Sequence, residues 1–457
     1  MSLSLPRDRS TRIRRLGAPR SHPCRKLGSD RKMKSYGVFL AAITLAMLSC
    51  VPLAAATTYY VSSTGGSDSN DGTSAGTPFL TIPAAASRTN PGDIVYVMDG
   101  TYGPFTISRS GSSAGYITYQ AYPGQHPTVN KTGSAWDAIQ LKSATAGPSY
   151  IIIDGFNLVG NAQSITVDQA QTAPNYNNTT NGNCIGSGAT SHHVIIRNNN
   201  ISYCPGGGIV ATGDYLYIYN NIIHHNAFWS PLDNSGITVS GTDSDSNTGV
   251  KIVIYNNIFY NNQNFICNVF QTTPCRITDG EGIIVDSNKA SGFAGRVRIY
   301  NNIAYNNGGP GIEVYLSQHV DVVNNTTYMN NISAAEPAPF TAHSGGGDIN
   351  VSQSNDVNVI NNISYGSPGV PIIYTGITSV TSLVWDYNIL FGGTGGKAIG
   401  RHDLVADPLF RGAASFDFHL KSGSPAIASG TAKLAPSTDF DGKPRPKNKI
   451  CRGTYQF

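Results

Sequence analysis

GEGIIVD at Gly280–Asp286, followed after a short loop by GRVRIYNN at Gly295–Asn302, is the stretch that decides the fold. Ile283 and Val285 alternate with other residues in the first run, and Val297 and Ile299 do so in the second. Successive side chains of a strand point to opposite faces, so each run reads as a strand with one buried face. The second run closes on an asparagine doublet. Five other runs close the same way, at Asn199, Asn221, Asn257, Asn325 and Asn362. With Asn302 included, successive doublets lie 22, 36, 45, 23 and 37 residues apart, which is one coil of 22 to 23 residues lengthened at intervals by a loop. Glycine-led runs precede most of them: GGGIVA from Gly206, SGITVS from Ser235, GPGIEVY from Gly309 and GGDINVS from Gly346.

A half-apolar strand cannot close a core alone. Stacking each coil roughly 4.8 Å above its neighbour pairs the strands in parallel and buries a continuous interior. The expected fold is therefore all-β, a right-handed parallel β-helix, with Ile237, Val239, Ile252, Ile254, Ile283, Val285, Val297, Ile299, Ile312 and Val314 inside. The corner asparagines are expected to stack as a ladder, each amide bonding the turn backbone and the next amide. The leucine lattice of leucine-rich repeats is absent, and no long helical periodicity follows residue 85.

The chain has 457 residues, 13% of them charged, and a net charge of +4 that comes largely from an Arg/Lys-rich start. The body has no basic footprint for nucleic acid. Met33 to Ala56 holds a lysine, the apolar run Val38–Leu48 and Ala54-Ala55-Ala56, the pattern of a secretory signal, with Met33 as an alternative start. Cys50 fits a lipobox poorly. Residues 1–56 thus read as leader and signal peptide, 57–101 as an N-terminal cap, 102–405 as coils and 406–457 as a capping tail. The cap comprises a strand Tyr59–Ser62, a polar loop, and a short helix Ile82–Ser87 that plugs the open end of the core. A secreted monomer with no membrane span in the mature chain is expected. Five cysteines remain: Cys184, Cys204, Cys267, Cys275 and Cys451. Export permits disulfides, with Cys267–Cys275 as a loop staple and Cys184–Cys204 as a second pairing, unless all five are simply small buried residues. Insertions at Ala162–Asn183, Ala227–Asn234, Gly241–Gly249, Gln263–Thr278, Ser287–Gly295 and Met329–Gly345 are where a binding face is expected.

The coils, the cap and the tail ADPLFRGAASFDFHLKSGSPAIASG (Ala406–Gly430), followed by DFDGKPRP (Asp439–Pro446), resemble the extracellular pectate-lyase-like β-helix superfamily. Polysaccharide lyases of the family 9 type are the nearest likeness, and it spans nearly the whole mature chain. The resemblance implies calcium held by aspartates, a lysine base and an acidic polysaccharide substrate. Lyases, hydrolases, epimerases and adhesins share the scaffold, so it speaks more to fold than to activity.

The residues themselves supply candidates. Alternation turns Ile284 and Asp286 outward and leaves Asp279 and Glu281 at the start of the strand. Glu313 and Tyr315 follow one coil higher, Lys289 lies on the loop, and Arg296, Arg298 and Tyr300 face out from the next strand. β-Elimination on a uronate needs its carboxylate neutralised and a base for the C5 proton. Ca2+ on Asp279, Glu281 and Asp286 would do the first. Lys289 or Arg296 would do the second, Arg296 being the more firmly held, with Arg298, Glu313 and Tyr315 contacting substrate. Hydrolysis would instead pair Asp286 with Glu313. A non-catalytic carbohydrate-binding surface protein is the third reading, and plain salt bridges on a solvated face explain the same charges. His192-His193 and His224-His225 read as solvated corners, His319 and His343 as structural or groove-lining residues. Tyr217 and Tyr219 are outward rings with no required role, and Gly206-Gly207-Gly208 is a turn.

Overall fold

The computed structural model describes residues 55–457, apart from 143–145, 174–175, 233, 270–276, 278, 333–346, 374 and 396–397. Met33, Cys50, the Val38–Leu48 run, Cys275, His343 and most of the Met329–Gly345 insertion lie outside the described residues. The chain winds as a right-handed parallel β-helix. Each coil contributes a strand to sheet A, then to sheet B, then to sheet C. Examples are Val250–Tyr255, Ile258–Tyr260 and Ile283–Asp286, followed one coil on by Arg296–Tyr300, Ile303–Tyr305 and Ile312–Tyr315. Register is in phase from coil to coil: Ile254 pairs with Ile299 and then Val322 in sheet A, and Ile237 with Ile283 and then Ile312 in sheet C. In-phase pairing stacks like on like, and all ten residues expected inside are buried.

The two asparagines of each doublet do different work. The first, at Asn198, Asn220, Asn256, Asn301, Asn324 and Asn361, takes a left-handed φ between 53° and 60°, a conformation asparagine tolerates better than most side chains. The second is buried and stacks: the side-chain amide of Asn199 donates to Asn221 Oδ1, Asn221 to Asn257, and so on through Asn302, Asn325 and Asn362 to Asn388. A second ladder at the B-to-C corner links Asn226, Asn262, Asn307 and Asn330 and ends on buried Asp348. Serines do similar work at the C-to-A corner, where Ser317 N–H donates to Ser354 Oγ at 3.0 Å.

The strand Thr58–Val61 pairs with Ile94–Val97, and helix Ile82–Ala86 closes the lower end of the core with Ile82, Ala85 and Ala86 buried. Thr81 caps that helix, accepting from Ala84 N–H, and is itself held by Asp68. At the other end the tail runs along the side of the coils. Its hairpin, Phe410–Gly412 with Asp417–Leu420, buries Phe410 and Phe418 against Tyr328 and Ile363 of sheet B. The side chains of Asn301, Asn324 and Asn361 donate to tail carbonyls of Thr438, Cys451 and Thr431. Cys184 and Cys204 form a disulfide, Cys267 is disulfide-bonded, and Cys451 is a buried free thiol. No helix among the described residues is long and apolar enough to cross a membrane.

Candidate functional site

Loop lengths single out one face. From Gly155 upward every A-to-B corner is two residues long, as at Asn256-Asn257 between the strands ending at Tyr255 and beginning at Ile258. The insertions sit at the other two corners. Those after Val159, His224 and Tyr260 lead into sheet C, and those after Gly241 and Asp286 lead out of it. The tail covers the A–B side of the upper coils, so the outer face of sheet C is the one flanked by loops on both edges. Along its lower edge Trp229 packs with Ile165, Ala170, Ile266, Phe228 and Phe265, which joins three insertions into one apolar wall.

Register fixes what this face carries. One outward column runs Thr106, Gln140, Gly186, Val210, Thr238, Ile284, Glu313, Asn350. Glutamate occurs only at positions 281, 313 and 336 of the sequence, and two of the three lie on adjacent coils here, Glu313 in register with Ile284. Both are buried: Glu313 Oε1 accepts from Asn350 Nδ2 at 2.8 Å, and Glu281 Oε2 accepts the Ser235 hydroxyl. A Cβ at Gly309 would come within 2.7 Å of Glu281 Oε1, so glycine there leaves room for the carboxylate. Asp286 pairs with Tyr315 and is half-buried. Burial pushes its carboxyl above the ordinary range and the charge of Glu281 adds to this, against a hydrogen bond from Ser287. Glu313 pairs with Ile284, so it stands diagonally from Asp286 on the same face, with Cα atoms roughly 7–8 Å apart.

The other predicted residues are dispersed. Arg296 and Arg298 lie on sheet A, around the corner from those carboxyls. Arg296 is bound to Asp321 at 2.8 Å and to Asp356, which also holds His319 Nδ1 at 2.7 Å. Arg298 reaches the tail carbonyl of Leu434 and lies against the Tyr300 ring. Lys289 is exposed on the C-to-A corner, and Tyr315 Oη accepts from Gln353 at 3.4 Å. Asp279 is buried at the start of the strand. Among the described residues no three of His, Cys, Asp and Glu group closely enough to hold a metal ion.

The histidine pairs are half-buried and stacked among rings: His193 lies between Tyr150 and Tyr215, and His224 against Tyr260. Burial and the neighbouring His225 bring His224 down to about 4, so it is neutral at pH 7. Tyr219 stacks on Tyr255 at 4.7 Å and receives Arg197.

Residues 137–325, under half of the chain, match the model of a right handed beta helix region. Fold and match together make this a right-handed parallel β-helix protein. No curated protein sequence matches it. Among solved structures it is similar to the complex of XylC with xylose, at 13% identity over 87% of this chain and 98% of that one, TM-score 0.47. It is also similar to pectate lyase Pel9A, at 16% identity over 88% of this chain and 96% of that one, TM-score 0.43. A third is the GH136 lacto-N-biosidase from Eubacterium ramulus, at 15% identity over 74% of this chain and 57% of that one, TM-score 0.39.

Proposed function

We propose that this protein is an exported, monomeric, polysaccharide-cleaving enzyme working on the outer face of sheet C, with Asp286 and Glu313 as its carboxyl pair. The observation that carries the reading is their diagonal register on the one face that insertions flank on both sides. Two carboxyls in different environments can divide acid and base roles: Asp286, whose proton is held more tightly than in an ordinary carboxylate, donates to the leaving oxygen, and Glu313 activates water or attacks the sugar. Asp279, Glu281 and Glu313 gather carboxyl groups around Asp286, which favours a neutral sugar over a uronate at the scissile bond. β-Elimination is served less well, because Arg296 and Arg298 are committed on another sheet. The Cys184–Cys204 disulfide supports export to an oxidising compartment.

The test is to incubate residues 57–457 with neutral and uronate polysaccharides, following reducing ends and the absorbance of a new C4=C5 double bond. Reducing ends without that absorbance, lost in Asp286→Asn and Glu313→Gln, are expected. Absorbance from the double bond would establish elimination instead. Neither signal on any substrate would leave a binding protein.

A further inference from the structure

Four rungs below Glu281, roughly 19 Å down the stack, the same entry position of sheet C is held by Asp137, through Asn183, Gly207 and Ser235. Two cavities of about 320 and 260 Å³ meet there, and Trp136, Asp137 and Gln140 line both. A third, of about 360 Å³, adjoins the second at Pro104, so the hollows run from the N-terminal cap onto the outer face of sheet C.

Two glycines make this floor. A Cβ at Gly186 would lie 2.3 Å from Asp137 Oδ2, and one at Gly182 would lie 2.0 Å from Lys131 Cε. Any larger residue would displace the carboxylate or the lysine. Asp137 is buried and accepts from Asn183 Nδ2 at 2.9 Å. Burial raises its carboxyl to about 6, opposed by hydrogen bonds from Asn183 and Gln140 and by the charges of Lys131 and Lys142. Lys131 is buried in turn, its Nζ donating to the Asn178 carbonyl, and desolvation brings it down to about 8. Of the three tryptophans, Trp229 and Trp385 are buried, while Trp136 is half-exposed and carries no stacked ring or cation among the described residues.

We propose that this cleft is a sugar subsite, in which a pyranose ring of an oligosaccharide stacks on Trp136 and presents adjacent hydroxyls to the Asp137 carboxylate and the Gln140 amide. This rests on the reading of sheet C as the glycan-binding face. The indole gives an apolar platform of ring size, and a carboxylate beside an amide supplies the acceptors and donor that a vicinal diol needs. The subsite lies far from Asp286 and Glu313, so it binds a distant ring of an extended chain and touches no reacting atom.

Tryptophan fluorescence of residues 57–457 is to be followed during titration with xylohexaose and cellohexaose. Saturable quenching by either is expected, abolished in Trp136→Ala and retained in Trp136→Phe. Binding is expected to weaken about tenfold from pH 7.5 to pH 5 as Asp137 takes a proton and loses an acceptor, and Asp137→Asn is expected to remove that pH dependence. Quenching that survives Trp136→Ala, or none by either hexasaccharide, would overturn the subsite. Quenching lost in Trp136→Ala, in a protein that cleaves no polysaccharide, would leave the subsite standing and remove the catalytic reading. Cleavage that proceeds in Trp136→Ala with unchanged KM on long substrates would do the reverse.

Discussion

Asn302 Oδ1 accepts both the backbone N–H and the side-chain amide of Asn257, each at 3.0 Å. The Asn302 amide passes the pattern on to Asn325 Oδ1 at 3.0 Å and to the Ile254 carbonyl at 2.9 Å. The buried amide of Asn302 is therefore bonded to the coils on either side of it.

Asn302→Ala orphans the Asn257 backbone N–H in a dry corner, while the Asn257 amide keeps the Ile218 and Tyr255 carbonyls. We expect a loss of about 1–3 kcal/mol, read as a lower urea midpoint. Asn301→Gly is expected to cost much less to the coils, because glycine takes the left-handed φ of 53° freely, and to loosen the contacts with Thr438 and Arg445 of the tail. Equal effects from the two substitutions would contradict the division of roles within the doublet.

Asp348 ends the second ladder, where burial raises its carboxyl to about 7 against hydrogen bonds from Asn330 and Thr327. Its folded value lies above its unfolded one, so the folded state holds the proton more tightly. That contribution to stability is fully present below about pH 4 and is lost as pH rises towards 7. Asp348→Asn continues the ladder without a charge. It is expected to flatten the fall in stability between pH 4 and 7 and to gain roughly 2–4 kcal/mol at pH 8, measured by denaturation midpoints from pH 4 to 8.

Lys251 Nζ is fully buried at 2.9 Å from each of Asp214, Asp243 and Asp245. Lys251→Met leaves the buried Asp214 without its counter-charge, and a loss of about 3–5 kcal/mol is expected. A second change, Asp214→Asn, is expected to return part of that loss, so a double-mutant cycle on thermal midpoints checks the pairing.

Burial and the charge of Glu281 hold the Asp286 proton above the ordinary carboxylate range. If Asp286 is the general acid, cleavage declines as pH rises through that raised value and declines again at low pH as Glu313 protonates. A bell-shaped kcat/KM profile is expected, with the high-pH limb absent in Asp286→Ala on substrates with activated leaving groups. An unaltered limb would assign the proton to another residue.

The coil period, the inward set and the first ladder were legible because each is a local property: alternation follows from the two faces of a strand, and a corner repeats wherever the backbone turns. The second ladder left a signal too, in Asn261-Asn262 and Asn306-Asn307 five residues after the first doublets. Glu281 and Glu313 were legible as candidates because both fall on neighbouring glycine-led strands.

Sequence alone determined that the chain coils, which side chains fill it and where it is capped. Only the tertiary structure decided which outward groups meet. Arg296 follows Asp286 by ten residues yet projects from another sheet, because a corner intervenes. Asp137 and Gly186, far apart in sequence, share one cavity wall because parallel register sets them on adjoining rungs. Alternation is fixed by the geometry of one strand, whereas the partners of an outward side chain depend on loop lengths and register between coils. No window short enough to read as one strand contains those.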